Sequence, residues 1–359
     1  MSIPANDTNE SKIKVGITHG DLNGISYEVI IKLLADNRVT ELYTPVIYGV
    51  SKIISYYRKL LNTSDFNLNI IRNAEHATAK KINLINLSDK EIRIEMGEST
   101  AIAGEMALQA LDAAIKDIEN KSIDVIVTAP LNKENVQMAS KTHFTGHTGY
   151  LAQKANVNSY LMLMVAGNLK IGLVTEHLPL EDVTNAITPD VLRDKINILN
   201  ESLQKDFNIR KPKVAVLSLN PHAGDGGLIG KHEQDVEIPV IESLQKKGLL
   251  VYGPYPADGF FASNAYKNFD AVLAMYHDQG MIPFKTLSRD EGVNYTAGLP
   301  YVRTSPAHGT AYDIAGKNMA NPDSMRAATY LACDIYNNRK LWEEINQNPL
   351  PFYKKDKDN

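Results

Sequence analysis

The stretch KVAVLSLNPH, residues Lys213–His222, decides the fold. A short apolar run that ends in turn residues is typical of a buried strand. Two further runs have the same form, because Leu169–Thr175 precedes His177 and Ala271–Tyr276 precedes His277. In an open α/β sheet, ligands bind outside the carboxyl ends of the strands. We therefore expect the three histidines to meet at one edge of a sheet.

Three neutral imidazoles with an open position form the donor set of a catalytic divalent-metal site. A single histidine after a strand is commonly an ordinary loop residue, and spacing alone leaves both interpretations open. The repetition of the same placement favours a metal site formed by His177, His222 and His277.

Strands and helices alternate along the rest of the chain. Further strands are predicted at Ile13–Thr18, Pro45–Val50, Asp124–Thr128 and Tyr160–Val165. Helices are predicted at Ser26–Leu34, Thr100–Ile118, Thr188–Phe207 and Pro322–Tyr336. This alternation predicts an α/β fold with a mainly parallel sheet and helices on both faces. The region Asn73–Ser99 is charged and weakly patterned, so we predict that it is a peripheral excursion from the main fold.

Composition narrows the class of protein. The formal net charge of −4 argues against a general nucleic-acid or anionic-membrane partner. The single cysteine, Cys333, cannot form an internal disulfide, and no apolar run is long enough to span a membrane. Met1–Lys12 is polar and shows no secretory signal, so we expect a cytoplasmic protein. The tail Lys354–Asn359 is expected to fray.

The glycine-rich stretches do not match standard nucleotide loops. Gly224–Gly230 does not open a helix directly after a strand, and Gly16–Gly24 lacks the dinucleotide pattern. A P-loop motif is also absent from the sequence. A standard Rossmann nucleotide site is therefore not predicted.

Several polar residues could bind an anion. Thr148 or its neighbours could cap a helix whose exposed amide groups favour negative charge. Lys285 and Arg303 each follow an apolar segment, where a cation usually has an anionic partner. Ordinary capping and surface charge are the alternatives, and the residues by themselves do not decide between them.

Four motifs stand in order along the chain: Thr145–Thr148 (TGHT), Asn220–Gly224 (NPHAG), Tyr276–Gly280 (YHDQG), and Arg303–Ser305 (RTS) followed by His308–Ala311 (HGTA). Together they resemble the 4-hydroxythreonine-4-phosphate dehydrogenase family of pyridoxal phosphate biosynthesis. The stretch His308–Lys317, followed by Ala320–Pro322, is similar to the nucleotide loop of isopropylmalate dehydrogenases. The loop Gly20–Ser26 (GDLNGIS) departs from the family's usual Pro-Ala-Gly-Ile-Gly pattern.

The resemblance implies a set of site residues and a fold. His177, His222 and His277 match metal ligands for zinc, magnesium or cobalt, while Asp258 and Asp278 match acidic, catalytic positions. The substrate-binding matches are His147, Thr148, Lys285, Asn294 and Arg303, and the cofactor-binding matches are His308, Gly309, Ala311, Asp313 and Asn321. The implied fold has two domains related to isocitrate and isopropylmalate dehydrogenases. We expect a nucleotide-binding domain at 1–135 plus 304–359 and a metal, substrate and dimerisation domain at 136–303, with the active site in the cleft between them.

The implied reaction is the oxidation of 4-phosphooxy-L-threonine by NAD or NADP. The product, 2-amino-3-oxo-4-(phosphooxy)butanoate, then decarboxylates to 3-amino-2-oxopropyl phosphate. A dehydrogenase of D-erythronate or D-threonate 4-phosphate is the nearer alternative, and a metal-dependent lyase or hydrolase is the more distant one. The resemblance also implies a homodimer whose subunits share the active site, with His147 of one subunit reaching the site that holds Lys285 of the other.

Overall fold

The computed structural model describes residues 12–36, 38–63, 66–140, 144 and 146–349. The predicted frayed tail Lys354–Asn359, the polar segment before Lys12 and Thr145 of the TGHT motif lie outside the described residues. In the part of the chain that is described, no helix is long and apolar enough to cross a membrane.

The described strands are β1 (Lys14–Thr18), β2 (Thr44–Gly49), β3 (Leu68–Ile71), β4 (Ile82–Asn86), β5 (Val125–Thr128), β6 (Leu161–Ala166), β7 (Leu169–Leu173), β8 (Lys213–Leu217), β9 (Leu250–Tyr255), β10 (Ala271–Ala274), β11 (Val293–Ala297) and β12 (Val302–Pro306). The α-helices are α1 (Ser26–Leu34), α2 (Val39–Leu42), α3 (Ser51–Leu60), α4 (Ala101–Glu119), α5 (Lys133–Ser140), α6 (His147–Lys154), α7 (Leu180–Ala186), α8 (Pro189–Lys205), α9 (Ile238–Lys246), α10 (Ala257–Ala262), α11 (His277–Ser288) and α12 (Asp323–Asn346).

All these strands form one sheet in the order β3-β4-β2-β1-β5-β12-β11-β6-β7-β10-β8-β9. The pairings are parallel on both sides and antiparallel at the centre, where β12 pairs with β11, β11 with β6, and β6 with β7. The strands on either side of this centre therefore run in opposite directions. The predicted α/β fold with a mainly parallel sheet is confirmed, and the antiparallel centre was not predicted.

The three strands that precede the predicted metal ligands are neighbours. β10 lies between β7 and β8 and is parallel to both. His177, His222 and His277 therefore follow adjacent parallel strands, as the shared pattern predicted.

The predicted helices are present, with differences at their ends. α1 has the predicted bounds, and the Thr188 hydroxyl caps α8 by accepting a hydrogen bond from the Val191 amide at 3.3 Å. α12 is longer than predicted, because no proline or glycine interrupts it before Asn346. Cys333 is a partly buried residue of this helix.

The expectation of a peripheral excursion at Asn73–Ser99 is wrong for its middle part. Ile82–Asn86 is strand β4, which pairs in parallel with β2 and β3. The far end of the region is anchored as well, since Glu95 donates its amide to the Asn23 side chain at 2.9 Å. Short strands flanked by charged residues lack the long apolar pattern from which the other strands were predicted.

His19 lies at the end of β1 with no exposed surface, and its ring stacks on Tyr27 at a centroid distance of 5.2 Å. Burial lowers the pKa of this ring to about 4, and nearby backbone groups offset only part of the effect. The folded protein therefore holds His19 neutral at pH values where an unfolded chain would protonate it.

We expect the free energy of unfolding of the His19→Phe variant to fall less on acidification than that of the wild type. As the pH falls from the unfolded-state pKa near 6.5 to the folded-state pKa near 4, protonation of this group should lower the unfolding free energy of the wild type by about 3 kcal/mol. Denaturant unfolding at both ends of this pH window measures the effect. The exposed His76 supplies the control His76→Phe, and an unchanged pH slope in His19→Phe would contradict the assignment.

Candidate active site

A cavity of about 320 Å³ lies over the antiparallel centre of the sheet. Its floor includes Met164 of β6, Asn294 of β11 and Ser305 of β12, which are paired across the strands. Paired residues of adjacent strands point to the same face of a sheet. Arg303, two residues before Ser305, faces the same cavity.

The rim of the cavity brings most of the predicted site residues together. All five predicted substrate-binding residues line it, together with two predicted metal ligands and two predicted cofactor residues: His147, Thr148, Lys285, Asn294, Arg303, His177, His277, His308 and Gly309. His147 and Lys285 thus line the same cavity of one chain. This corrects the expectation that His147 reaches across to the partner's site.

Among the described residues, no carboxylate forms a hydrogen bond or a close ion pair with the buried cation Arg303. Its side chain is almost fully buried, and the partners to which it donates within this part of the chain are the hydroxyls of Thr128, at 2.7 and 3.2 Å, and Thr296, at 3.2 Å. Burial lowers the pKa of its guanidinium to about 9. The buried Arg339, by contrast, donates to Asp206 at 2.7 Å. A buried charge without a hydrogen-bonded counter-ion is costly, and the Glu176 charge offsets this cost only from beyond ion-pair distance. An anion bound in the cavity would therefore stabilise Arg303.

Other groups add to this anion-binding character. Lys133 and Lys285 line the cavity. The Asn294 side chain lines it as well, and its Oδ1 atom, which is buried without a partner among the described residues, can accept a hydrogen bond from a ligand. His147 and Thr148 form the first turn of α6, where amide groups favour negative charge. The cap position of α6 is occupied by Gly146, a neighbour of Thr148, and it has no side-chain cap hydrogen bond.

His147 is a neutral ring in this setting. Burial lowers its pKa well below the ordinary histidine value, and the positive charges of Arg303 and Lys133 lower it further. A neutral imidazole can donate one hydrogen bond and accept another, so it can orient a substrate without adding charge.

The structure brings two of the three predicted metal ligands together. The rings of His177 and His277 lie 5.5 Å apart between centroids, and Nδ1 of His277 lies 2.7 Å from Oδ1 of Asp278. Asp278 thus makes the ring-orienting contact expected of an acidic neighbour. Within residues 12–36, 38–63, 66–140, 144 and 146–349, no group of three potential ligands is close enough to hold a metal ion.

His222 lies in a neighbouring cavity of about 660 Å³, together with Asp258 and Asp278. It belongs to a left-handed turn in which three non-glycine residues have positive φ: His222 at 52°, Ala223 at 52° and Asp225 at 44°. Such residues each cost on the order of 1 kcal/mol.

Two buried carboxylates support this turn from one side. Glu233 accepts the Asn220 amide at 2.6 Å and its side-chain amide at 3.0 Å, and Glu237 accepts the Leu219 amide at 3.0 Å. A side chain at Gly224 would come within 2.7 Å of Glu233. The position of His222 is therefore imposed by its surroundings.

Two functional candidates were missed by the sequence reasoning. Lys133 lines the main cavity at the start of α5, and Glu176 lines it directly beside His177. Burial raises the pKa of Glu176, while the charges of Lys195, Lys133 and Arg303 oppose this rise. Both residues follow parallel strands, so the rule that pointed to the histidines could have found them.

The predicted nucleotide loop is docked on the loop that departs from the family pattern. Asp21 accepts hydrogen bonds from the Tyr312 hydroxyl at 2.7 Å and from the Asn135 side chain at 2.6 Å. Ala311 has a left-handed backbone with φ of 44°, and Asp313 is exposed. Asn321 accepts the Asp323 amide at 2.9 Å at the start of α12. Ala311, Asp313 and Asn321 are not among the residues that line the main cavity.

The fold and the cavity define an α/β protein with a cation-lined cavity over the centre of its sheet. The sequence profile of the family described as pyridoxal phosphate biosynthetic protein PdxA matches residues 41–332. The chain belongs to this family, which confirms the resemblance carried by the four motifs.

Individual relatives agree with this assignment. A 4-hydroxythreonine-4-phosphate dehydrogenase of Bacteroides thetaiotaomicron is 47% identical over 96% of this chain and 95% of its own length. The crystal structure of the Klebsiella pneumoniae protein with the same name has a TM-score of 0.79 at 35% identity, covering 91% of this chain and all of that one. A protein of Oceanobacillus iheyensis, provisionally named a D-threonate 4-phosphate dehydrogenase, is 37% identical over 89% of this chain and 97% of its own length.

We expect Arg303→Met to weaken the binding of inorganic phosphate by about ten- to a hundredfold, because it removes the charged donors at the floor of the cavity. Titration calorimetry on the full chain measures the affinity. The control is Lys170→Met, since Lys170 is a buried cation that is not among the cavity's lining residues. Equal phosphate affinity in Arg303→Met and wild type would contradict the role of Arg303.

Proposed function

We propose that this chain oxidises 4-phosphooxy-L-threonine to 2-amino-3-oxo-4-(phosphooxy)butanoate, which decarboxylates to 3-amino-2-oxopropyl phosphate. The observation that carries the proposal is Arg303, a buried guanidinium that faces the cavity without an acidic partner among the described residues. A phosphorylated substrate supplies the missing anion. The names of the relatives supply the reaction class.

Different residues of the cavity are proposed to bind different parts of the substrate. Arg303 and Lys285 bind the phosphate, Asn294 and the first turn of α6 add neutral donors, and His147 orients the polar end of the substrate. The imidazole rings of His177 and His277 suit a divalent cation such as zinc, magnesium or cobalt, since imidazole nitrogens are its usual ligands. Such an ion, when bound, supplies Lewis-acid chemistry that favours loss of the alcohol proton.

The cofactor proposed is a nicotinamide dinucleotide bound along the loop that includes His308, Gly309, Ala311, Asp313 and Asn321. When bound, its nicotinamide ring accepts the hydride. Gly309 and His308 line the substrate cavity, so this loop is continuous with it. The Asp313 carboxylate would accept hydrogen bonds from ribose hydroxyls and repel a 2′-phosphate, which favours NAD over NADP.

The third metal ligand is proposed to come from a second copy of the chain. His222 lies outside the cavity that holds His177 and His277, and it is exposed in the single chain. The cavity around it is lined by apolar residues such as Phe261 and Ile282, and the Ile282 side chain is 65% exposed. An exposed apolar surface beside an incomplete ligand set fits a homodimer with shared sites. Asp258 would then act across the interface, and Asp278 would orient His277.

The proposed function is tested with a panel of phosphorylated hydroxy acids. The purified chain is supplied with 4-phosphooxy-L-threonine, D-erythronate 4-phosphate or D-threonate 4-phosphate, together with a divalent metal and either NAD or NADP. We expect reduced nicotinamide to form fastest with 4-phosphooxy-L-threonine and NAD. Faster oxidation of a sugar-acid phosphate would identify the paralogous dehydrogenase, and substrate loss without any nicotinamide would identify a lyase or hydrolase.

We expect His222→Ala and His277→Ala to be inactive alone and to complement each other when mixed. One site of each mixed dimer would hold His177 and His277 of one chain and His222 of the other. Activity should return to about a quarter of wild type, since random exchange makes half the dimers mixed and leaves half of their sites intact.

His147→Ala and Lys285→Ala provide the matched control for this experiment. Both residues line the cavity of one chain, so their mixture leaves no intact site and should stay inactive. Size-exclusion analysis of differently tagged subunits establishes that exchange has occurred. Confirmed exchange without recovery in the His222 and His277 mixture would disprove the shared site.

A further inference from the structure

Asp21 is a fully buried carboxylate in the loop that follows β1. Its side chain accepts four hydrogen bonds, all from uncharged donors. Oδ1 accepts the backbone amides of Asn23 at 2.8 Å and Gly24 at 3.2 Å, which fold the loop around the carboxylate. Oδ2 accepts the Asn135 side chain at 2.6 Å and the Tyr312 hydroxyl at 2.7 Å. This one oxygen therefore joins two segments that are far apart in the sequence.

The first of these segments forms part of the wall of the main cavity. Asn135 is a buried residue of α5, and Lys133, at the start of this helix, lines the cavity together with Pro130. The Asp21 backbone holds the same segment, because its amide donates to the Pro130 carbonyl at 2.7 Å. Asp21 is thus fixed to the cavity wall by both its main chain and its side chain.

The second segment is the nucleotide loop, His308–Lys317, which contains Tyr312. The Ile25 amide donates to the Thr310 carbonyl at 3.0 Å, so the loop after β1 and the nucleotide loop are in direct contact. Nε2 of His308 is buried without a hydrogen-bond partner among the described residues, and His308 lines the main cavity. A free polar atom of this kind fits a loop that binds a polar ligand such as a dinucleotide.

Hydride transfer requires the acceptor ring to lie at a set distance and angle from the substrate, and small displacements are costly. The Asp21 carboxylate joins the nucleotide loop to the wall of the substrate cavity. We propose that Asp21 is a positioning residue, which acts through Tyr312 to hold the nucleotide loop in the conformation that binds the dinucleotide. This inference rests on the proposed function, because it concerns the cofactor of the same site.

The test measures the affinity of the full chain for NAD by calorimetry in the absence of substrate. We expect Asp21→Ala to bind NAD about tenfold more weakly than the wild type, because a released loop must be ordered on binding. Tyr312→Phe should shift the affinity in the same direction. Since Asp21 acts through Tyr312, the effect of the double variant should be smaller than the product of the two single effects. In turnover with 4-phosphooxy-L-threonine, Asp21→Ala should raise the KM for NAD more than it lowers kcat.

A second pair of aspartate and tyrosine supplies the matched controls. The Tyr336 hydroxyl donates to Asp124 at 2.6 Å, and Asp124 also accepts the Lys14 amide at 2.7 Å. Asp124 precedes β5 whereas Asp21 follows β1, and these strands are parallel neighbours, so the two pairs lie at opposite edges of the sheet. Asp124→Ala and Tyr336→Phe should bind NAD within about twofold of the wild type.

Hydrogen exchange provides a measurement that needs no ligand. The Ile314 amide donates to the Ala311 carbonyl and the Lys317 amide to the Ile314 carbonyl, both at 3.1 Å, so order in the nucleotide loop protects these amides. Peptides that contain them should exchange faster in Asp21→Ala and Tyr312→Phe than in the wild type and the two controls.

The outcomes separate this inference from the proposed function. Failure of the wild type to oxidise any compound of the panel would overturn the proposed function, whereas weaker NAD binding by Asp21→Ala would still support the role of Asp21. Wild-type NAD affinity in Asp21→Ala, an equal loss of affinity in Asp124→Ala, or no NAD binding by the wild type would overturn the inference. If Asp21→Ala does not fold, unchanged NAD affinity and unchanged exchange in Tyr312→Phe would overturn it.

Discussion

The reversal of strand direction at the centre of the sheet is the constraint on which the site depends. β6, β11 and β12 pair in antiparallel fashion between two parallel halves of the sheet. The strands of the two halves therefore end at opposite edges of the sheet, and so do the loops that follow them. A purely parallel sheet would place its ligand at a single edge. Here the side chains of the central strands form the floor of the cavity instead. Asn294 and Arg303 belong to this floor, and elements from both halves of the sheet line the cavity around them.

This arrangement explains which features could be predicted from the sequence. β7, β8 and β10 are buried apolar runs, and the histidines that follow them were found because position after a strand is a local property. β11 and β12 were not found as strands, because their sequences VNYTA and VRTSP mix polar and apolar residues. Asn294, Arg303 and Ser305 of these strands face the cavity, so the apolar pattern of a buried strand is absent at the candidate site.

The grouping of the site residues was predictable only through the family motifs. The resemblance named the five substrate-binding residues, and the structure places all of them around one cavity of one chain. Neither motif nor spacing could show that His222 lines a different cavity from His177 and His277, because its position depends on the left-handed turn that follows β8. Among the described residues, the lack of an acid within ion-pair distance of Arg303 likewise depends on the three-dimensional surroundings.

The left-handed turn that carries His222 limits which sequences this loop can explore. At φ near 50°, branched side chains such as Val, Ile or Thr are strongly disfavoured, whereas Gly, Asn and Asp are tolerated. Glu233 and Glu237, more than ten residues away in sequence, must be retained for the turn to keep its shape. A substitution in this exposed loop is therefore constrained by the buried segment that supports it, and a substitution of either glutamate is constrained by the loop.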